Sequence, residues 1–167
     1  VYEDDSGKTP IMHSVKKAEE KILKTQTTKN YLPINGPAEY ASAVAELVFG
    51  KDSAITKAGR VVTAQTPGGT GALRIAGELL KKYQPKAKLW VSDPTWANHN
   101  GIFGAAGFEI KAYPYYDAAS KGLNFKAMLE ALNTAAEGDI ILLHGCCHNP
   151  TGIDPTAEQW KQIAQTL

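Results

Sequence analysis

Hydrophobic residues in the first part of the chain recur at helical spacing. One apolar stripe is formed by Ile11, Val15, Ala18 and Ile22. This stripe predicts a helix over residues 10–26, with Pro10 in its first position. A second helix is predicted over residues 37–49, with Gly50 at its C-terminal cap. The segment between them contains two prolines and a glycine, which favour irregular structure.

After residue 60, segments with the pattern of strands alternate with segments typical of helices. The strands are predicted over residues 60–66, 87–93, 109–117 and 139–147, and the helices over 72–83, 98–107, 124–135 and 156–167. Pro114 indicates an edge strand or an irregular strand end, and Asn124 is the expected cap of the third of these helices. The apolar run 140–143 is typical of a central strand buried on both faces. The alternation predicts an α/β fold whose mixed, mostly parallel sheet is covered by helices on both faces.

Composition narrows the classes of protein that the chain can represent. It has 167 residues, of which 43% are hydrophobic, and a formal net charge of +1. The apolar share is sufficient for a core, and the charge lacks the basic excess of a nucleic-acid-binding protein. No apolar run approaches the roughly 20 residues of a membrane span, so neither nucleic acid nor membrane is an expected partner. The two adjacent cysteines favour a reducing compartment, and both chain ends suggest a fragment.

A glycine-rich turn follows the first strand predicted after residue 60. Gly68, Gly69 and Gly71 surround Thr70, where a helix is expected to begin. Glycines let the backbone approach an anion closely, and a helix start offers unpaired N–H groups and a positive dipole end. The turn therefore predicts a site for an isolated phosphate, because the Walker and dinucleotide patterns are both incomplete. A tight turn without a ligand is the alternative.

Two other predicted strands end in residues suited to ligand binding. Trp96 follows Asp93-Pro94, and Asn149 precedes Pro150. Open α/β sheets bind ligands at the carboxyl ends of their strands, where a Trp ring can stack on an aromatic ligand and an Asn amide can donate a hydrogen bond. His99 shares a face with Trp96 if that segment is helical. Ordinary packing roles for Trp96 and His99 stay open as alternatives.

The segment HGCCHNPTG, residues 144–152, has the composition of a metal site but not its spacing. Neighbouring residues on a strand point to opposite faces, so Cys146 and Cys147 are poorly placed to share one ion. No second Cys/His pair completes a tetrahedral site. We therefore expect no metal, and we expect both cysteines to pack as small apolar residues near the end of a buried strand.

Four segments together resemble a known family: NYLPI, TPGGTGALR, DPTWANH and HGCCHNPTGIDPTAEQW. In order and spacing they are similar to the aspartate aminotransferase subgroup of the fold-type I pyridoxal-phosphate enzymes. The resemblance implies that residues 1–167 form the N-terminal half of the large, three-layer αβα domain. It implies amino transfer between L-aspartate and 2-oxoglutarate. An aromatic-amino-acid aminotransferase is one alternative, and a non-catalytic module for a phosphorylated ligand is another for these residues alone.

The resemblance also implies how the cofactor, pyridoxal 5′-phosphate, is bound. Gly68, Gly69 and Thr70 are expected to hold its phosphate. Trp96 is expected to stack on its pyridine ring, and Asn149 to hydrogen-bond the 3′-oxygen of the ring close to the substrate's α-carboxylate. The peptide bonds that precede Pro94 and Pro150 are expected to be cis.

Other parts of the family's site come from more distant segments. By the resemblance, Tyr31 reaches the phosphate held by the neighbouring subunit of a homodimer, while His99 and His144 support the aspartate at the pyridine nitrogen. The Schiff-base lysine of relatives follows the position of Leu167, so we expect no catalytic residue and no transaminase activity in the 167-residue chain alone. The cytoplasm is the expected location, with the mitochondrial matrix as the alternative.

Overall fold

The computed structural model describes residues 2–167, which form two compact units. One unit extends to Ala64, and the other spans Gln65–Leu167. The first contains three helices: α1 (His13–Thr25), α2 (Ala38–Phe49) and α3 (Ala54–Lys57). No helix among the described residues is long and apolar enough to cross a membrane.

The helices of the first unit follow the predicted pattern with local differences. α1 begins three residues after Pro10, because the chain is still extended at Met12, and it buries none of its residues. α2 ends as predicted at Gly50, whose φ of 88° is readily adopted by glycine. The short helix α3 was not predicted; the Ser53 hydroxyl caps it by accepting a hydrogen bond from the Ile55 N–H.

The strand predicted over residues 60–66 is wrong. The segment has no regular structure, and the Val62 side chain is 94% exposed. Alternating hydrophobicity permits a strand, but a strand forms only where its backbone finds a pairing partner. No strand of the described chain pairs with this segment.

The second unit contains four helices and five strands, in the chain order α4 (Gly68–Tyr83), β1 (Lys88–Asp93), α5 (Asn98–Ala105), β2 (Glu109–Pro114), β3 (Tyr116–Asp117), β4 (Gly122–Leu123), α6 (Phe125–Leu132), β5 (Ile140–Ile141) and α7 (Ala157–Thr166). The main sheet has the order β2-β1-β5 and is parallel throughout. A small antiparallel pair is formed by β3 and β4. β2 is an edge strand, as Pro114 indicated.

β5 differs most from its prediction. It has two residues instead of nine and lies at an edge of the described sheet, so β1 is the central strand. The Leu142 N–H still donates to the Trp90 carbonyl oxygen, at 2.9 Å. The chain then bends, and Cys147 has a φ of 53°, which does not fit a strand. The run 140–143 is accordingly half-buried, not buried on both faces.

The helices cover both faces of the main sheet, which confirms the predicted α/β fold in three layers. Leu89 and Val91 of β1 pack with Phe103 of α5 and with residues of α4 on one face. Trp90, which points to the opposite face, packs with the cluster of α6 and α7 that includes Met128. Alternate residues of one strand therefore join two separate cores.

Two helix starts show how local sequence acts. Thr156 and Gln159 form a reciprocal capping box at the start of α7. Asn124 precedes α6 as predicted, but its side chain makes no capping hydrogen bond. Its ψ of 61° lies outside the extended conformation in which a cap residue directs its side chain to the first turn.

Candidate functional site

The carboxyl edge of the main sheet carries the residues singled out in the sequence. β1 ends at Asp93 and β5 at Ile141, and because the two strands are parallel their following loops leave the same edge. The Asp93-Pro94 and Asn149-Pro150 peptide bonds are both cis, as expected. Trp96 lies in the first loop and is half-buried, whereas Asn149 lies in the second and is exposed.

The start of α4 lies toward the same edge. Four residues join the end of α4 to β1, and Leu73 and Leu80 of α4 both pack against the core that contains β1. The helix therefore runs back along the strand. Its 16 residues span about 24 Å and the six-residue strand about 20 Å, so the helix start reaches the level of the strand's carboxyl end.

The first turn of α4 has the features of an anion site. No side chain caps the helix. The Gly68 N–H donates to the Thr66 carbonyl oxygen, whereas the N–H groups of Gly69 and Thr70 lie in the first turn, where helical acceptors are missing. Space beside Gly68 and Gly69 is open, since a Cβ on either would meet no atom within 4 Å. The helix begins at Gly68, two residues before Thr70, where its start was expected.

A continuous column of rings joins the two loops. The Tyr115 and His148 rings stack at a centroid distance of 3.8 Å, and His148 stacks on His144 at 4.2 Å. His144 contacts His99 at 5.3 Å, and His99 contacts Trp96 edge-on, also at 5.3 Å. Trp96 and His99 are thus neighbours, although Trp96 precedes α5 and the two do not share a helix face as the sequence suggested.

His99 and His144 each have one defined hydrogen bond. Nδ1 of His99 lies 2.8 Å from the Thr95 hydroxyl. Nδ1 of His144 accepts a hydrogen bond from the Asn149 backbone N–H at 3.1 Å, so a neutral His144 carries its proton on Nε2. That Nε2 atom is buried and has no partner among the described residues. A buried donor without an acceptor is costly, so this position is suited to an acceptor that is not among the described residues.

Burial keeps the three histidines neutral. It lowers the pKa of His99 and of His144 below the ordinary value, and the neighbouring His144 lowers the pKa of His99 further. The pKa of His148 falls to about 4, chiefly through burial and then through His144, although the Asp154 carboxylate acts in the opposite direction. Near pH 7 the column therefore presents hydrogen-bonding groups without positive charge.

His148 is the main residue of this edge to which the sequence did not assign a role. It is 2% exposed, and its Nε2 and Nδ1 atoms each lie 2.8 Å from a hydroxyl, of Ser92 and Thr151 respectively. Thr95 and Asp154 were also missed. The spacing of four residues from Thr95 to His99 is a weak signal, because Thr95 precedes α5.

The packing expected for the two cysteines is wrong. Cys146 and Cys147 are both exposed, because the strand ends at Ile141 and the chain has already turned into a loop. The Asp154 carboxylate stabilises this loop by accepting hydrogen bonds from the Cys147 and His148 backbone N–H groups, at 2.7 and 2.8 Å. These bonds lower the pKa of Asp154. Among residues 2–167, no group of three or more His, Cys, Asp and Glu side chains is arranged to hold a metal ion.

Tyr31 belongs to the other compact unit. It lies in an irregular segment between α1 and α2, and its side chain is fully exposed. Its expected role toward a neighbouring subunit stays a prediction.

Known proteins resemble the chain over its whole length. Residues 1–167 match the family described as Aminotransferase class I and II. An aspartate aminotransferase of Salmonella typhi is 55% identical over 165 residues, and that of Escherichia coli strain K12 is 54% identical over 165 residues. In both cases the alignment covers 99% of this chain and 42% of the relative, so the chain spans about two fifths of their length.

A solved structure supports the same relationship. The crystal structure of an aromatic-amino-acid aminotransferase from Burkholderia pseudomallei, covalently bound to pyridoxal phosphate, superposes with a TM-score of 0.95 at 49% sequence identity. It covers 99% of this chain, which covers 42% of that structure. The parallel sheet, the open start of α4 and the ring column at the carboxyl edge thus occur in a chain that belongs to the class I and II aminotransferases.

Proposed function

We propose that the complete protein is a pyridoxal-phosphate-dependent aspartate aminotransferase, which converts L-aspartate and 2-oxoglutarate to oxaloacetate and L-glutamate. The proposal is supported by three features of one sheet edge: the uncapped start of α4, the Trp96 ring beside His99, and the Asn149 loop, whose backbone N–H donates to His144. The relatives that are 54–55% identical and bear the name aspartate aminotransferase support this choice of substrates.

The start of α4 suits the phosphate group. The N–H groups of Gly69 and Thr70 and the Thr70 hydroxyl donate hydrogen bonds to its oxygens, and the positive end of the helix dipole favours its charge. Gly68 contributes the turn, since its φ is 72°. The open space beside Gly68 and Gly69 leaves room for the phosphate to approach the backbone.

The two loops suit the ring of the cofactor. Trp96 offers its face for stacking, while the edge-on contact with His99 restrains its indole. Asn149 directs an amide N–H to the ring's 3′-oxygen and lies close to the substrate's α-carboxylate. When bound, pyridoxal phosphate supplies an electron sink for the substrate carbon that loses the amino group.

The unpartnered Nε2 donor of His144 also fits a bound pyridoxal phosphate. A carboxylate from another part of the protein, facing the pyridine nitrogen, would accept the hydrogen bond from Nε2. His99 contacts the His144 ring edge-on. Burial keeps both histidines neutral. His144 therefore donates a hydrogen bond to the carboxylate without adding a positive charge that would weaken the carboxylate's interaction with the pyridine nitrogen.

The remaining elements of the proposal rest on the sequence resemblance. Residues 1–167 form part of the large domain, and Tyr31 contacts the phosphate in the other subunit of a homodimer. The Schiff-base lysine is supplied by a segment that follows the position of Leu167 in relatives, so the 167-residue chain alone has no transaminase activity. We propose the cytoplasm as its location, with the mitochondrial matrix as the alternative.

Cofactor uptake and substrate turnover test the proposal. The purified complete protein should become yellow with pyridoxal phosphate and convert aspartate and 2-oxoglutarate, whereas residues 1–167 alone should show no turnover. The His13→Gln variant, altered at an exposed position of α1, is a matched control that should retain activity. A complete protein that takes up no pyridoxal phosphate would contradict the proposal.

An aromatic-amino-acid aminotransferase is the second candidate. It is favoured by the Burkholderia pseudomallei aromatic-amino-acid aminotransferase, whose fold agrees with this chain at a TM-score of 0.95. The two candidates differ in the side-chain pocket, so the ratio of kcat/KM for aspartate to that for phenylalanine separates them. A ratio above one supports the aspartate enzyme.

A further inference from the structure

His148 makes four contacts at the carboxyl edge of the sheet, two with rings and two with hydroxyls. Its ring is stacked between Tyr115 and His144, nearly parallel to Tyr115, with an interplanar angle of 10°. Its two nitrogens each lie 2.8 Å from a hydroxyl, one on Ser92 and one on Thr151. A neutral imidazole has one donor and one acceptor nitrogen, so two hydroxyls can satisfy both.

These contacts tie the Asn149 loop to the sheet. Ser92 belongs to β1, whereas Thr151 lies in the same loop as His148. The His148 carbonyl oxygen accepts a hydrogen bond from the Gly152 N–H at 2.7 Å, which closes the turn that contains Asn149. The central strand thereby holds the loop through one side chain.

The same side chain supports His144. His148 stacks on one face of His144, whose Nδ1 accepts the hydrogen bond from the Asn149 backbone. His148 thus acts on Asn149 in two ways, as its chain neighbour and through His144.

We propose that His148 is a positioning residue, which orients Asn149 and His144 toward the cofactor ring through its bonds to Ser92 and Thr151 and its stacking on His144. This inference rests on the proposed function. It assigns His148 no contact with cofactor or substrate. Replacing His148 is therefore expected to affect the cofactor only indirectly, through displacement of Asn149 and His144.

The cofactor's visible absorption reports on this orientation. The Asn149 amide donates to the ring's 3′-oxygen, and a hydrogen bond to an anionic oxygen favours the deprotonated form. Misplacing that amide should raise the pH at which the cofactor's visible absorption is halfway between those of its protonated and deprotonated forms. A merely structural defect elsewhere would leave this pH midpoint unchanged. We expect His148→Gln in the complete protein to raise the midpoint and to weaken pyridoxal phosphate binding about five- to tenfold, the equivalent of one hydrogen bond.

A double-mutant cycle shows whether His148 acts through Asn149. Asn149→Ala should raise the midpoint by itself, and adding His148→Gln to it should produce little further change, because the group being positioned is already gone. His148→Phe keeps a flat ring but lacks the two nitrogens. It should therefore retain part of the stacking that His148→Gln loses, but not the hydrogen bond between residue 148 and Ser92. His13→Gln, at an exposed histidine, should match the wild type.

The outcomes separate the two proposals. An unchanged midpoint in His148→Gln, or shifts that simply add in the double variant, would overturn the positioning role while the proposed function stands. A wild-type protein that binds no pyridoxal phosphate would overturn both. If His148→Gln fails to fold by circular dichroism, Ser92→Ala and Thr151→Val each remove one of its hydrogen bonds. These variants should shift the midpoint in the same direction, and unchanged spectra in both would overturn the inference.

Discussion

The stability of the protein should fall in mildly acid solution because of His148. In the folded state its imidazole is 2% exposed and lies between two rings and two hydroxyls. Protonation would place a positive charge in this site and would remove the acceptor nitrogen. The chosen perturbation is His148→Gln, which abolishes the titration but keeps a polar side chain.

The magnitude follows from the shift in pKa. Burial lowers the pKa of His148 from 6.5 to about 4 in the folded state, and the unfolded chain keeps the higher value. Between these values the unfolded state binds the extra proton, so stability is complete above pH 6.5 and declines as the pH falls toward 4. A shift of this size corresponds to about 3 kcal/mol in total, of which about 2 kcal/mol is already lost near pH 5.

The assay is urea denaturation of the complete protein at a series of pH values from 5 to 8. The free energy of unfolding of the wild type should fall more steeply between pH 6.5 and pH 5 than that of His148→Gln, by about 2 kcal/mol. His13→Gln should follow the wild type. Parallel curves for wild type and His148→Gln would refute the reasoning, as would a directly measured histidine pKa near 6.5 for His148 in the folded protein.

Three further substitutions test the packing of the second unit, each by chemical denaturation of the complete protein. Leu89→Ala, in the central strand where the side chain is 0% exposed, should lower the free energy of unfolding by about 3–5 kcal/mol. Thr156→Ala should cost about 1 kcal/mol, because it removes the capping box of α7; a variant as stable as the wild type would contradict this role. Gly77→Ala should destabilise, since its Cβ would lie 3.2 Å from Phe103 on the packed face of α4. Its control, Gly101→Ala, adds a methyl group in open space on α5 and should stabilise by up to about 1 kcal/mol; the same sign for both would contradict the packing argument.

Local sequence was sufficient where an element depends on its own residues. α2 ends at Gly50 as predicted, because a glycine at a positive φ terminates a helix without help from other parts of the chain. Pro114, which lacks the N–H that a central strand needs, indicated an edge strand or an irregular strand end, and β2 is an edge strand of the described sheet. The cis bonds before Pro94 and Pro150 were expected from the family resemblance, and the structure confirms them.

Predictions failed where an element depends on a partner elsewhere. Residues 60–66 have the pattern of a strand but no neighbour to pair with, and β5 stops at Ile141 because the chain bends away from β1. Cys146 and Cys147 are exposed for the same reason. The periodicity of a segment describes which faces it can bury, but it does not determine which other segment will cover them.

The candidate site shows the same division. The residue types at three strand and helix boundaries predict places for a phosphate, a ring and a hydrogen-bond donor, at Gly69-Thr70, Trp96 and Asn149 respectively. The sequence also specified an alternation of strands and helices that requires a covered parallel sheet. Only the tertiary structure decided that His148 lies between Tyr115 and His144 with Ser92 beneath it. Those partners are up to 56 residues apart along the chain, and contacts between distant residues arise from packing, which no local pattern encodes.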